Sequence, residues 1–306
     1  MSGKPSILIV GGTGFIGKNL LNIVRDLGWK CTVLSLRNPK KCDKNTEYLQ
    51  VDLTNTLLTK NFLSNRNFDY VVNLSGYIDH SSYFDKGQAV IATHFNGLQN
   101  LVNSLDRSKL KCFVQIGSSD EYGNVSAPQS EHMRESPISP YSFSKVCATH
   151  LLQMLHKTEN FPSVVLRLFL VYGEGQNDQR FLPQIISGCI NDLNFPVSDG
   201  MQLRDFCHVE DVSHGIIAAL TSGKGRGEVI NLASGAPVTI REVITKVRNI
   251  IGLGNPIFGK IPYRTGENMS LYADVSKAYE TLQWTRDIDL DNGLERTINY
   301  YKNISK

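Results

Sequence analysis

Tyr141 and Lys145 stand four residues apart in the run Ser139-Pro-Tyr-Ser-Phe-Ser-Lys145. On a helix that spacing puts both side chains on one face, so an ammonium can lie beside a phenol. Such a neighbour favours the phenolate and predicts a tyrosine pKa below its ordinary value of about 10. A phenol tuned in this way can give or take the proton of a sugar or alcohol hydroxyl. Of the twelve tyrosines, Tyr141 alone has a lysine four residues on. The pair by itself is also compatible with a surface tyrosine covered by a lysine stem. Upstream, Gly117-Ser118-Ser119 closes an apolar run, and a hydroxyl at a strand end is placed to hold a carbonyl oxygen.

A second constellation lies at the N-terminus. Gly11-Gly12-Thr13-Gly14-Phe15-Ile16-Gly17 follows the apolar run Ser6–Val10 and opens a helical pattern. Glycines there allow a tight turn and let backbone N–H groups approach a pyrophosphate resting on the helix N-terminus. About 20 residues on, an enzyme using NAD would show a carboxylate for the ribose diol. This chain instead has Ser35-Leu36-Arg37-Asn38, followed by Lys40 and Lys41. A guanidinium clamps a 2′-phosphate that a carboxylate would repel, so Arg37 points to NADP; a solvated basic loop is the other reading. Asp52 follows the next strand, where it can meet an adenine amino group or cap a helix. Leu53 and Leu74, at the ends of two strands, complete the candidate cofactor site.

These residues need a scaffold of alternating elements. Ser6–Val10, Cys31–Leu36, Asp69–Leu74, Cys112–Ile116 and Val164–Phe169 read as buried strands, with helical periodicity over Phe15–Leu27, Val90–Leu105 and Tyr141–Lys157. Strands joined by helical crossovers make an α/β, Rossmann-type, doubly wound parallel sheet. Beyond Phe169 the alternation becomes irregular, with helices expected at Phe181–Asn191, Glu210–Leu220, Ile240–Ile251, Val275–Leu282 and Asp291–Tyr301. The expected organisation is a cofactor unit over 1–169 with a returning segment near 205–232. A smaller interleaved substrate lobe takes 170–204 and 233–306. Composition agrees with a globular chain: 306 residues, 41% hydrophobic and 20% charged. A net charge of +3, with scattered basic residues, gives no footprint for nucleic acid. Six dispersed cysteines without a CxxC fit reduced core thiols, and no metal is expected. No leader pattern and no run of membrane-spanning length is read, so a soluble cytoplasmic protein is expected.

With these motifs in place, the chain resembles the extended short-chain dehydrogenase/reductase family over nearly its whole length. The matching pieces are Gly11-x-x-Gly14-x-x-Gly17, Ser118, Tyr141-x-x-x-Lys145 and Leu166-Arg167 leading to Tyr172-Gly173. To these are added Arg180-Phe-Leu-Pro183, Arg204-Asp-Phe-x-x-Val-x-Asp-Val212 and Arg264-Thr-Gly-Glu267. The Arg204 run is typical of members acting on nucleotide-linked sugars. The resemblance implies that Ser118, Tyr141 and Lys145 are catalytic and that Arg204 and Arg264 hold a substrate diphosphate, with Ser119, Asp120 and Arg180 beside the substrate. A planar guanidinium fork suits two phosphates independently of any family. Two departures stand out: His94 and Leu170 occupy places where many relatives carry asparagine.

Within the family, Ile116-Gly-Ser-Ser-Asp-Glu-Tyr-Gly123 looks like reductases of GDP-4-keto-6-deoxymannose. Asp199-Gly-Met-Gln-Leu-Arg-Asp-Phe206 looks like CDP-linked 4-ketosugar reductases. The expectation is NADPH-dependent reduction of the C4 ketone of a nucleotide-linked 4-keto-6-deoxyhexose, by a homodimer built through Val90–Leu105 and Tyr141–Lys157. Alternatives are a 4,6-dehydratase using Asp120 and Glu121 as acid and base, a 4-epimerase, and a non-catalytic NADP-binding sensor on the same fold.

Overall fold

The computed structural model describes residues 4–39, 42–264 and 266–304. Its centre is a seven-stranded sheet, parallel throughout: β1 (Ser6–Val10), β2 (Lys30–Ser35), β3 (Thr46–Gln50), β4 (Tyr70–Asn73), β5 (Cys112–Ser118), β6 (Ser163–Leu168) and a late strand, Val229–Leu232, in the order β3-β2-β1-β4-β5-β6-(229–232). The β-branched run Ser-Ile-Leu-Ile-Val of β1 is buried on both faces, as a strand covered by helices on two sides must be. Helices α1 (Phe15–Asp26) and α2 (Thr56–Leu63) follow β1 and β3. From Tyr83 to Ser104 the chain is helical throughout, as π-turn Tyr83–Gly87, α3 (Gln88–Ile91), π-turn Ala92–Asn96 and α4 (Gly97–Ser104). The sequence predicts a plain helix over 90–105. The π-turns carry no periodic signal strong enough to be read, yet one of them bears His94.

Helix α5 (Pro140–Glu159) begins where its sequence dictates. The Ser139 side chain accepts the Ser142 N–H, Pro140 fills the first helical position, and Asn160 ends the helix in the left-handed region at φ 54°. Strand β5 runs two residues beyond its predicted end. Gly117 and Ser118 are poor strand formers, but their pairing with Arg167 and Leu168 of β6 holds them extended. The remaining elements are β7 (Leu170–Tyr172), α6 (Phe181–Ile190), β8 (Asn194–Pro196), β9 (Leu203–His208), α7 (Val209–Thr221), β10 (Val229–Leu232, the late strand above), β11 (Pro237–Thr239), α8 (Ile240–Ile251), β12 (Asn255–Ile257), β13 (Ser270–Leu271), α9 (Ser276–Leu282) and α10 (Leu290–Ile304).

Strand β9 joins β7, β11 and β13 in a small mixed sheet, while α7 and β10 return to the large one. Two apolar clusters fill the faces of the large sheet, one against α1 and α7 and the other against α4 and α5. A third lies among α6, α8 and α10. Strand order reverses between β1 and β4, and there the carboxyl ends of the strands open a crevice. No helix among the described residues is long and apolar enough to cross a membrane.

Candidate active site

The glycine loop lies at that reversal. Gly11 adopts φ +77°, and a Cβ there would stand 2.9 Å from the Leu74 carbonyl carbon, so only glycine lets β1 turn under the end of β4. Gly14 is the N-cap of α1 with no side-chain cap, which leaves the first helical N–H groups directed at the loop. Such a cradle is of the kind that takes a pyrophosphate; Thr13 belongs to the loop, Phe15 and Ile16 to the first turn of α1, and Leu74 lies against Gly11. At the end of β2, the Thr13 N–H donates to the Ser35 hydroxyl at 3.4 Å. Arg37 is exposed just beyond, and no acid occupies 35–39. Lys40 and Lys41 lie outside the described residues. The Asp52 carboxylate accepts from the Thr54 N–H at 2.9 Å and hydroxyl at 2.7 Å, tying a turn, while Asn55 caps α2. Leu53 is buried, and its carbonyl accepts from the Asn100 amide at 2.8 Å.

Tyr141 and Lys145 share one face of α5, and the Ser118 side chain lies within hydrogen-bond reach of the Tyr141 phenol. Lys145 is buried and donates to the Ile116 carbonyl at 2.8 Å, with its Nζ 5.8 Å from the centre of the Tyr141 ring. Burial brings its pKa down to about 8, against the pull of Glu121 and Asp120. The expected lowering of the Tyr141 pKa is not what the protein shows. Burial pushes the phenol well above its ordinary range, and the Asp120 carboxylate adds to this; a hydrogen bond with Ser118 and the charge of Arg180 only partly oppose it. The i, i+4 rule places the ammonium correctly but says nothing about the desolvation that dominates.

The Tyr141 ring is held edge-on between two imidazoles, His94 at 5.2 Å and His80 at 5.6 Å between centroids. His94, in the second π-turn, lies against Gly76, whose φ is +112°; a Cβ on Gly76 would stand 2.1 Å from the ring. His94 Nε2 meets the Tyr77 carbonyl at 2.8 Å. Burial first, then the Lys145 charge, pulls its pKa down to about 3, so the ring is neutral and Nε2 is the donor.

Asp120 and Glu121 part company. Glu121 is fully buried: one oxygen accepts the Ser118 N–H at 2.9 Å, and the other accepts from Thr149 at 2.8 Å and Arg167 Nε at 2.9 Å. Arg167 also donates to Glu135 at 2.6 Å and lies over the Tyr122 ring at 4.6 Å. With both oxygens engaged, Glu121 cannot reach a substrate. It ties the end of β5 to α5 one turn beyond Lys145. Asp120 faces the site, one-third exposed, 3.8 Å from His80 Nε2. Burial pushes its carboxyl above the usual range, against His80 and Arg204. Ser119 is buried at the start of the 3-10 turn Ser119–Glu121 that carries both acids.

On the lobe side, Arg204 of β9 and Arg264 line a cavity of about 880 Å³, with Leu170, Phe181 and Glu267. Arg204 donates to the Leu203 carbonyl and pairs with Glu267. Arg180, exposed at the start of α6, contributes its charge at Tyr141. The predicted residues thus form two neighbouring groups, a cofactor crevice with the Ser118–Tyr141–Lys145 cluster and an arginine-lined cavity. His80 is missed by the sequence reading. Its signal is position, a histidine a few residues past the carboxyl end of a strand beside the reversal.

Residues 7–233 match the NAD dependent epimerase/dehydratase family. The chain is 27% identical to UDP-glucuronate 4-epimerase of Thermodesulfobacterium geofontis, covering 96% of this chain and 90% of that protein. It is 26% identical to dTDP-glucose 4,6-dehydratase of Haemophilus influenzae, covering 97% of each. Among solved structures, UDP-glucuronic acid 4-epimerase from Bacillus cereus, in complex with UDP-glucuronic acid and NAD, superposes with a TM-score of 0.86 at 27% identity, covering 98% of this chain and 99% of that one.

Proposed function

Because the chain belongs to the NAD dependent epimerase/dehydratase family, we propose that it works on a nucleotide-linked sugar, reducing the C4 ketone of a 4-keto-6-deoxyhexose with NADPH. The observation that carries this reading is the enclosure of Glu121. A dehydratase of the expected kind needs Asp120 and Glu121 as an acid and base, and Glu121 is committed to Ser118, Thr149 and Arg167. What remains toward the substrate, with Asp120 beside it, is sufficient for carbonyl reduction. Ser118 hydrogen-bonds the keto oxygen, Tyr141 protonates the forming alkoxide, and Lys145 holds the nicotinamide ribose. The raised Tyr141 pKa suits a group that must carry its proton until an alkoxide forms. When bound, the nicotinamide supplies the hydride. Arg204 and Arg264 clamp the diphosphate, with Arg180 and Ser119 near the sugar. The cofactor crevice belongs to 1–169, and the lobe of 170–204 with 233–306 carries the cavity.

Arg37 supports NADP over NAD. Arg37→Ala costs about 1.5–3 kcal/mol of NADPH binding and little of NADH binding; equal use of both cofactors by the unaltered protein refutes the preference. A second reading, 4-epimerisation or 4,6-dehydration without net reductant, is favoured by the named activities of the relatives. Redox balance separates them. The reductase consumes one NADPH per 4-keto-6-deoxy sugar across a panel of GDP-, CDP-, dTDP- and UDP-linked substrates, and Tyr141→Phe abolishes the consumption. Conversion of an unmodified nucleotide hexose without added reductant overturns the assignment. Absence of turnover with every sugar leaves the non-catalytic sensor.

A further inference from the structure

Leu170 is a large apolar side chain that the fold leaves 39% exposed on the wall of the arginine-lined cavity. The register of the small sheet fixes where it stands. Leu170 opens β7 and pairs in parallel with Phe206 of β9, so the two side chains share a face. Arg204 lies two residues before Phe206 on the same strand, and therefore on that face too. One strand spacing across and two residues along put the Leu170 and Arg204 α-carbons about 8 Å apart. In the other direction Leu170 follows Leu168, the last residue of β6, which is paired with Ser118. Leu170 thus stands between the arginine assigned to the diphosphate and the serine assigned to the ketone. A hexose joined to that diphosphate has to lie across it. Phe181 also lines the cavity, and its ring, 6.2 Å from that of Phe206 between centroids, continues the apolar surface.

We propose that Leu170 is the specificity residue for C6 of the sugar, and that it selects substrates carrying a methyl group there. The inference rests on the ketosugar reading above. Every carbon of an ordinary hexose bears an oxygen, so an apolar wall has nothing to match on it. The apolar group that a 6-deoxyhexose adds is its C6 methyl, which packs on Leu170 and Phe181 and displaces water from them. A hydroxymethyl in that place brings a hydroxyl that neither side chain can hydrogen-bond, and burying it there costs the partners it had in water. Leu170 takes no part in moving hydride or proton. It decides which sugar is held.

The test titrates four matched pairs of sugar nucleotides, the members of each differing only in the C6 hydroxyl. They are UDP-glucose with UDP-6-deoxyglucose, the same two sugars on dTDP and on CDP, and GDP-mannose with GDP-6-deoxymannose. NADPH is present throughout, and none of these sugars offers it a ketone. The expected result, in the pair whose base the protein accepts, is binding of the 6-deoxy member about 10-fold tighter, the weight of one small group in an apolar pocket. Leu170→Asn brings the two members within about 2-fold of each other, while Leu170→Met keeps the preference. Neither substitution changes the affinity for the free nucleoside diphosphate, which a merely structural leucine would not spare. Equal binding within every pair, tighter binding of the hydroxylated members, or loss of free-diphosphate affinity in Leu170→Asn overturns the inference. The 6-deoxy preference without NADPH oxidation by any 4-keto-6-deoxy sugar upholds the role of Leu170 and removes the reductase reading. NADPH oxidation without the preference does the reverse.

Discussion

Lys145 carries an energetic cost that its position makes measurable. Its pKa is brought down from 10.5 to about 8 by burial. The unfolded chain therefore binds more protons than the native one between those values, and stability rises with pH across that window. Below pH 8 the buried ammonium opposes folding by on the order of 3 kcal/mol. Lys145→Met is expected to melt at higher denaturant than the unaltered protein at pH 7 while losing activity, and the gap should close between pH 8 and 10.5. A gap that does not change with pH would refute the buried-charge account. The Tyr141–Lys145 pair was legible because four-residue spacing is local geometry. The direction of the tyrosine's pKa was not, since it depends on His80, His94 and Asp120 closing around the ring from segments far apart in sequence.

At the scale of elements, the short turn after β5 links the catalytic serine to the catalytic helix. Glu121 takes the Ser118 N–H on one oxygen and Thr149 of α5 on the other, and Arg167 of β6 neutralises it in a fully buried pair. Removing one partner of such a pair leaves a buried charge without compensation. Glu121→Gln is expected to cost about 3 kcal/mol in urea unfolding, with Glu135 still holding Arg167. It should also lower kcat more than it alters KM, because Ser118 loses its clamp while the arginines of the cavity do not. Unchanged stability would show that the cluster is held by its other members. Sequence offered Glu121, with Asp120, as a catalytic acid or base because both lie in the segment just after Ser118. Only the register of β5 on β6, which sets Gly117 beside Arg167, reveals that it turns inward. The large-sheet strands named from apolar runs lie within one or two residues of their predicted ends, since burial on both faces leaves a continuous signal. The short strands of the lobe, three residues or fewer in β7, β8, β11, β12 and β13, are shaped by their partners and left no pattern to read.

At the scale of the molecule, α3–α4 and α5 lie side by side on one face of the sheet, and α5 leaves large apolar side chains outward. Phe143 is 49% and Met154 45% exposed, and Phe84, just before α3, is 92% exposed. A second copy laying the same helices against these would bury them in a four-helix interface with two-fold symmetry. Sedimentation at micromolar concentration is expected to give twice the 34.1 kDa chain mass, and Met154→Glu to return it to the monomer. A monomer from the unaltered chain would count against the dimer.

The late position of β10 has a consequence for how the protein is made. The outer edge of β6 is complete once residue 168 has been synthesised, but its partner arrives only with residues 229–232. In the interval a parallel strand, apolar but for Ser163 and Arg167, presents an open row of backbone donors and acceptors, the kind of template on which growing chains stick to one another. The intervening lobe must be threaded out and back before that row is closed. Expression yield will therefore hinge on this window more than on the stability of the finished fold. Chains cut short before residue 229 should collect in inclusion bodies, and a helper that shields strand edges should rescue the full-length protein when its synthesis is fast.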